Sequence, residues 1–260
     1  MKHIVNIGLF VVLFKIATAV FFISTSTSYA KEYIVGVEDV SYYPLYDFSA
    51  KSPDNSSFTN ELLSSFFRAK GYQFKFVPLP LKRFDKWYTE DAIDFKFPDN
   101  VRWRSGPSAK LNITYSKPVL KLTAGTFVLK KNKQVARKNI KRLSTILGFF
   151  PTLWYDRVEN NSLELVEVSA AVSIVKHMLI ENVDATNIDK NVINYNLKLL
   201  GKDHHEIVLN EQITHEQYAY HLSSINYPEI IEEFNNFLLE NHQLVARIKA
   251  KYGIIESPSS

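Results

Sequence analysis

Asp99, Asn100, Arg102, Trp103 and Arg104 stand almost side by side in the chain. A carboxylate there takes a cation, a carboxamide both donates and accepts, a guanidinium forks onto a carboxylate, and an indole stacks. This is a set for hydrogen bonding and stacking on a small molecule. It follows an apolar run of Ala92, Ile93, Phe95 and Phe97. Alternation of the two phenylalanines with Lys96 predicts a strand over 92–97, ended by Pro98, which lacks the amide a central ladder needs. Ligands of open α/β sheets bind beyond the carboxyl ends of strands. Asp99, Asn100, Arg102 and Trp103 are therefore candidate ligand contacts.

The elements that must position these residues follow from periodicity. Tyr33 to Val37 is a short buried-strand pattern that leads into Tyr42-Tyr43-Pro44. Either tyrosine could stack on a planar solute or bond through its hydroxyl; the alternative is an aromatic loop packed under the next helix. Asn55 or Ser57 caps that helix, whose inner stripe is Phe58, Leu62, Leu63, Phe66 and Phe67, and Gly71 stops it. Residues 72–77 alternate as a second strand. Pro78 to Arg83 opens another helix and sets Arg83 at the lip of a cleft, ready to fork onto a carboxylate or simply exposed. Strand–helix–strand–helix–strand order predicts a parallel sheet with crossover helices, an α/β fold.

The second half repeats this grammar. Leu120 to Lys130 reads as extended chain around Gly125. Leu143 to Phe150 reads as a strand ending near Gly148, and Pro151 to Tyr155 as a helix start whose amides would receive an anion, with the Thr152 hydroxyl beside them. Strands are expected at 163–168, 182–189, 206–209 and 217–224, with a helix capped by Ser169 between the first two and an amphipathic helix from Tyr227 after the last. Residues 256–260 are expected to be disordered.

Residues 1–30 form a separate object. A basic start, an apolar stretch and a Ser28-Tyr-Ala30 end predict a cleaved secretory signal, with a membrane anchor as the alternative. Removing its two lysines leaves a net charge of +2, which demands no nucleic acid. The chain has no cysteine, so neither a disulfide nor lipid attachment at the cleavage site is expected. A basic run from Lys130 to Arg142 reads as solvated surface or as a docking patch.

The segment that ends in Asp, passes through a polar loop and closes on Tyr115-Ser116-Lys117-Pro118 resembles the first-lobe signature of family 3 periplasmic solute-binding proteins. Val183-Asp184-Ala185 followed by Asp189, and the Lys251-Tyr252-Gly253 ending, are similar to the same family. The resemblance implies a two-lobed type II periplasmic-binding-protein fold with a ligand cleft between lobes and two crossing hinge strands. The first lobe would comprise 31–122 and the return segment 218–260, and the second lobe 123–217. It further implies that Asp189 receives a ligand ammonium while Asp184 is structural; a solvated, helix-capping Asp189 is the alternative. One family feature is missing. The Thr-x-x-Arg that clamps an α-carboxylate would fall near Ala109 and Lys110, and Pro98-Asp99-Asn100 replaces the usual Ser/Thr bed. An acid there repels an anion, which opens the site to cationic, amide or other polar solutes.

The function so implied is capture of a small polar solute in the periplasm, by a monomer without cofactor, metal or catalytic residue, for an ABC importer permease or a membrane sensor. A dehydratase-like enzyme on the same fold is the alternative. The sequence has no Walker loop, dinucleotide fingerprint, HExxH or G-x-S-x-G. Asp203-His204-His205 has ligand-type side chains, but adjacent histidines converge poorly on one metal.

Overall fold

The computed structural model describes residues 31–49, 56–90, 92–104 and 106–257. The expected signal at 1–30, the Asn55 cap and residues 258–260 lie outside the described residues. Among the described residues no helix is long and apolar enough to cross a membrane.

The first sheet grows from β1 (Glu32–Glu38). Its flanks are β4 (Gln73–Leu79) and β5 (Phe95–Asp99), both parallel to it, with Val35 paired to Phe76 and to Phe95. Parallel neighbours require a crossover, and α1 (Phe58–Ala69) supplies the first. Its five predicted inner residues, Phe58, Leu62, Leu63, Phe66 and Phe67, are all fully buried, each stabilising the fold by about 1.5–3 kcal/mol. The Ser57 hydroxyl caps its start by accepting from the Asn60 amide at 3.3 Å. Gly71 follows its end at φ +71°, a conformation that favours glycine. A two-stranded hairpin, β2 (Ser41–Tyr42) with β3 (Tyr46–Asp47), sits between β1 and α1 in the chain. A 3-10 segment (Leu81–Lys86) and the short α2 (Trp87–Glu90) connect β4 to β5.

Two predictions about β5 need correction. The strand starts at Phe95; Asp94 before it lies in a bend, where its carboxylate accepts from the Ile34 amide of β1 at 2.8 Å. It also runs through Pro98 to Asp99, although it lies between β1 and β13 (Glu216–Ser224). The ladder to β13 pairs Asp99 with His221 and Lys96 with Ser223, and shifts register between them. That irregularity accommodates the amide Pro98 lacks.

β13 is the hub of this sheet. It also pairs antiparallel with β6 (Thr114–Tyr115) and with β7 (Leu120–Ala124). From β7 the chain passes Gly125 and Thr126 into β8 (Phe127–Leu129) of a second sheet. A Cβ on Gly125 would stand 2.5 Å from Leu209 Cδ1, so a side chain there would have to displace the end of Leu209. The second sheet has the order β10-β9-β11-β8-β12, built from β9 (Arg142–Ile146), β10 (Glu164–Val168), β11 (Ala185–Thr186) and β12 (Ile207–Leu209). Its helices are α3 (Tyr155–Glu159), α4 (Ala171–Leu179) and α5 (Lys190–Leu199). β12 returns the chain to β13, and α6 (Pro228–Glu240) and α7 (His242–Lys251) follow.

The expected disordered tail is another correction as far as residue 257. Glu256 accepts from the Lys121 amide at 2.8 Å and from Lys249 at 2.6 Å, and the Ser257 amide donates to Lys121 O at 3.0 Å. These bonds dock it along β7. The basic run is partly neutralised on its own surface: Lys131 pairs with Glu181, Arg137 with Asp156 and Arg142 with Glu164.

Candidate ligand-binding cleft

β1 ends in Glu38, and this carboxylate is where the cleft begins. It is 4% exposed and lines a cavity of about 420 Å³. The hairpin places Tyr42 and Tyr46 next to it, and the Tyr46 hydroxyl donates to its Oε2. β13 alternates so that Tyr218 and Tyr220 reach the same space. The turn after β5 contributes Trp103, and the 3-10 segment Lys82, Phe84 and Asp85. The chain between β9 and α3 adds Gly148, Phe149, Thr152 and Trp154 from the second sheet, and Asn187 follows β11. The rings form a chain: Phe149 to Tyr42 at 5.2 Å, Tyr42 to Tyr46 at 5.2 Å, Tyr46 to Tyr220 at 6.3 Å and Trp103 to Tyr220 at 5.8 Å. Gly148 meets the opposite lip; a Cβ there would stand 3.0 Å from Leu81 Cβ.

Behind this wall is a buried charged layer. Lys96 is fully buried, donates to Phe84 O at 3.0 Å and lies over the Phe84 ring. Burial pushes its pKa down to about 7. Asp99 accepts from Arg104, from the Ser223 hydroxyl and, at 2.8 Å, from the Asn100 amide. Burial raises its pKa against the pull of Lys96 and Arg104. Burial likewise pushes Glu38 up to about 7, opposed by the Tyr46 hydrogen bond and by Lys96.

The sequence candidates divide between cavity and framework. Tyr42, Arg102, Trp103 and Thr152 line the cavity. Tyr43 turns its ring to Tyr195, with centroids 4.2 Å apart. Arg83 pairs with Glu90 at 3.3 Å on the exposed face. Asp99 is held as above, and Asn100 donates to Ala219 O at 2.7 Å and accepts from the Arg102 amide at 2.9 Å. Asp189 is buried and caps α5, accepting from the Asn191 amide at 2.8 Å and its side chain at 2.9 Å; the Asp189 amide donates to the Tyr42 hydroxyl at 2.6 Å. The expected anion-binding helix start near Thr152 is a correction: α3 spans five residues, and the Thr152 and Trp154 amides already donate to Phe150 O and Pro151 O.

Glu38, Tyr46, Tyr218, Tyr220, Phe149, Trp154 and Asn187 escaped the sequence reading. Glu38 carried a usable signal, as the last residue of a strand pattern. Tyr218 and Tyr220 carried another, the alternation of rings along one strand. Tyr46 had none. Asp203, His204 and His205 bring ligand atoms within 4.8 Å of one another but are all exposed, with the Asp203 carboxylate accepting from the His205 amide.

No protein-family profile matches the sequence, and no curated protein matches it. Solved structures do. A histidine kinase sensor domain with similarity to periplasmic binding proteins aligns with TM-score 0.66 and 14% identity, over 87% of this chain and 98% of its own. An ancestral arginine-binding protein bound to arginine aligns at 0.64 and 15%, over 85% and 97%. A substrate-binding protein of an ABC uptake transporter from Streptococcus pneumoniae, with bound histidine, aligns at 0.64 and 15%, over 88% and 95%. With β7 and β13 crossing between two α/β sheets and a cavity between them, the chain has the two-lobed type II periplasmic-binding-protein fold, built like the amino-acid-binding proteins.

Proposed function

We propose that this protein captures a small polar solute between its lobes in the periplasm and presents the closed form to a membrane partner. The observation that carries this reading is the cavity of about 420 Å³ between the sheets, walled by aromatic rings with a few polar groups among them. That is the size and lining of a small-molecule site. The lobes exchange chain at β7 and β13, which supports boundaries near residues 122 and 217. Ligand energy favours the closed arrangement by differential binding, and a partner reads that arrangement. The chemistry is binding without turnover. The partner is an importer permease; a signalling receptor is the second reading, favoured by the likeness to a sensor domain.

Native mass spectrometry of the protein purified without its first 30 residues tests this reading, followed by a thermal-shift screen of amino acids, amines, organic acids and short peptides. A co-purified small molecule, or a shift with one class, supports it. At 100 times the dissociation constant a ligand adds about 2.7 kcal/mol of stability. No bound mass and no shift with any class overturns it.

A further inference from the structure

We propose that the cleft is built for an organic cation bearing N–H donors and no carboxylate. This deepens the solute-binding reading and rests on it. The first observation is Glu38. Its carboxylate lines the cavity while almost wholly buried, and no lysine or arginine stands within ion-pair distance of it among the described residues. Only the Tyr46 hydroxyl and Lys96, which acts on it without forming an ion pair, compensate this buried carboxylate. A cation in the cavity supplies a direct ion partner.

The second observation is the wall around it. Tyr42, Tyr46, Trp103, Tyr218 and Tyr220 line the same cavity, with Trp103 to Tyr218 at 6.2 Å and Tyr218 to Tyr220 at 5.7 Å. Ring faces attract cations, most strongly where water is displaced. The third is Asn187. It lines the cavity, and its Oδ1 is buried without a hydrogen-bond partner. An orphaned acceptor asks for an N–H donor, which an amine or guanidinium has and a quaternary ammonium lacks.

The same cavity offers a carboxylate little. Arg102 is engaged by Glu216, and Arg104 by Asp99 and the Tyr115 hydroxyl. Lys82, exposed at the rim, is the remaining basic side chain of the lining. A zwitterion brings a carboxylate into an aromatic wall that already holds one buried acid.

Matched pairs isolate that one group. Agmatine differs from arginine, putrescine from ornithine, and phenethylamine from phenylalanine by the carboxylate alone. Isothermal titration at pH 7.5 with all six compounds is expected to show one amine binding about tenfold or more tighter than its amino acid. Glu38→Gln is expected to weaken that amine by about tenfold, and Trp103→Leu by several-fold, with each variant's melting curve still cooperative. Equal or tighter binding of the amino acids overturns the inference, as does unchanged amine affinity in folded Glu38→Gln. Binding of an organic acid or a neutral solute in place of all six overturns it and leaves the solute-binding reading standing. No binding of any class removes both.

Discussion

Glu38 and Lys96 are ionisable groups placed where ionisation is costly, and their titrations run in opposite directions. Glu38 has a folded pKa of about 7 against an ordinary 4.5. The folded chain therefore keeps a proton that the unfolded chain gives up. Stability falls as pH rises from 4.5 to 7, and the full cost, about 3 kcal/mol, is present above that window. Lys96 has a folded pKa of about 7 against 10.5, so its cost is full below pH 7 and is relieved as pH climbs toward 10.5. The groups acting on Glu38 are Tyr46, Lys96 and Asp99, and none of them supplies a direct ion pair. Glu38→Gln keeps an acceptor for Tyr46 and removes the charge. Denaturant melts are expected to find the empty variant more stable than the parent at pH 8, by as much as about 3 kcal/mol, and equal to it at pH 4.5. Equal stability at both pH values would show that Glu38 is compensated by something other than a ligand. Asp189 is placed differently. Its Oδ1 accepts both capping bonds from Asn191 at the start of α5, so Asp189→Ala is expected to lower stability by about 1–2 kcal/mol. Amine affinity, read by titration calorimetry, should change less than about threefold.

Elements with one dominant period were legible in the sequence. The stripe of α1 was read residue for residue, because an amphipathic helix encodes its buried face in a 3.6 period. The parallel start of the first sheet followed from element order. β5 was less legible, since the rule that proline ends a central strand assumes a regular ladder, and the partner strand here breaks register instead. The cleft was half legible for the same reason: local chemistry marks Trp103, but nothing local says that the 3-10 segment and the Gly148 turn meet. Gly148 sits at φ +89°, and a Cβ there would crowd Leu81 Cβ and, at 3.4 Å, the Lys82 amide nitrogen. A Cβ and a backbone nitrogen cannot swing aside as the end of a side chain can. Gly148→Ala adds left-handed strain of about 1–2 kcal/mol and pushes the lips apart. Titration should show amine affinity reduced about five- to tenfold through faster release, a larger loss than the fall in melting temperature alone explains. Unchanged affinity would place the working closed state elsewhere than this contact.

At the scale of the whole molecule, the proposed solute capture requires that the two lobes part and rejoin about β7 and β13. The crossing is closely packed: a Cβ on Gly125 would stand 2.5 Å from Leu209 Cδ1. A solute enclosed by both lobes cannot leave while the lips touch. The Leu81–Gly148 contact therefore offers a lock. The chain contains no cysteine, so a Leu81→Cys, Gly148→Cys pair introduces the only thiols. The two Cβ positions, 3.0 Å apart, stand slightly inside the separation of about 3.5–4.5 Å that a disulfide prefers. A small parting of the lips brings them into range. Oxidation should close the cleft covalently. Stopped-flow association of a cationic ligand with the oxidised protein is expected to slow by orders of magnitude, and ligand loaded before oxidation should survive dialysis. Reduction should restore both rates. If the oxidised protein exchanged ligand as fast as the reduced one, solute would have a route that bypasses the lips, and hinge closure would not be what retains it.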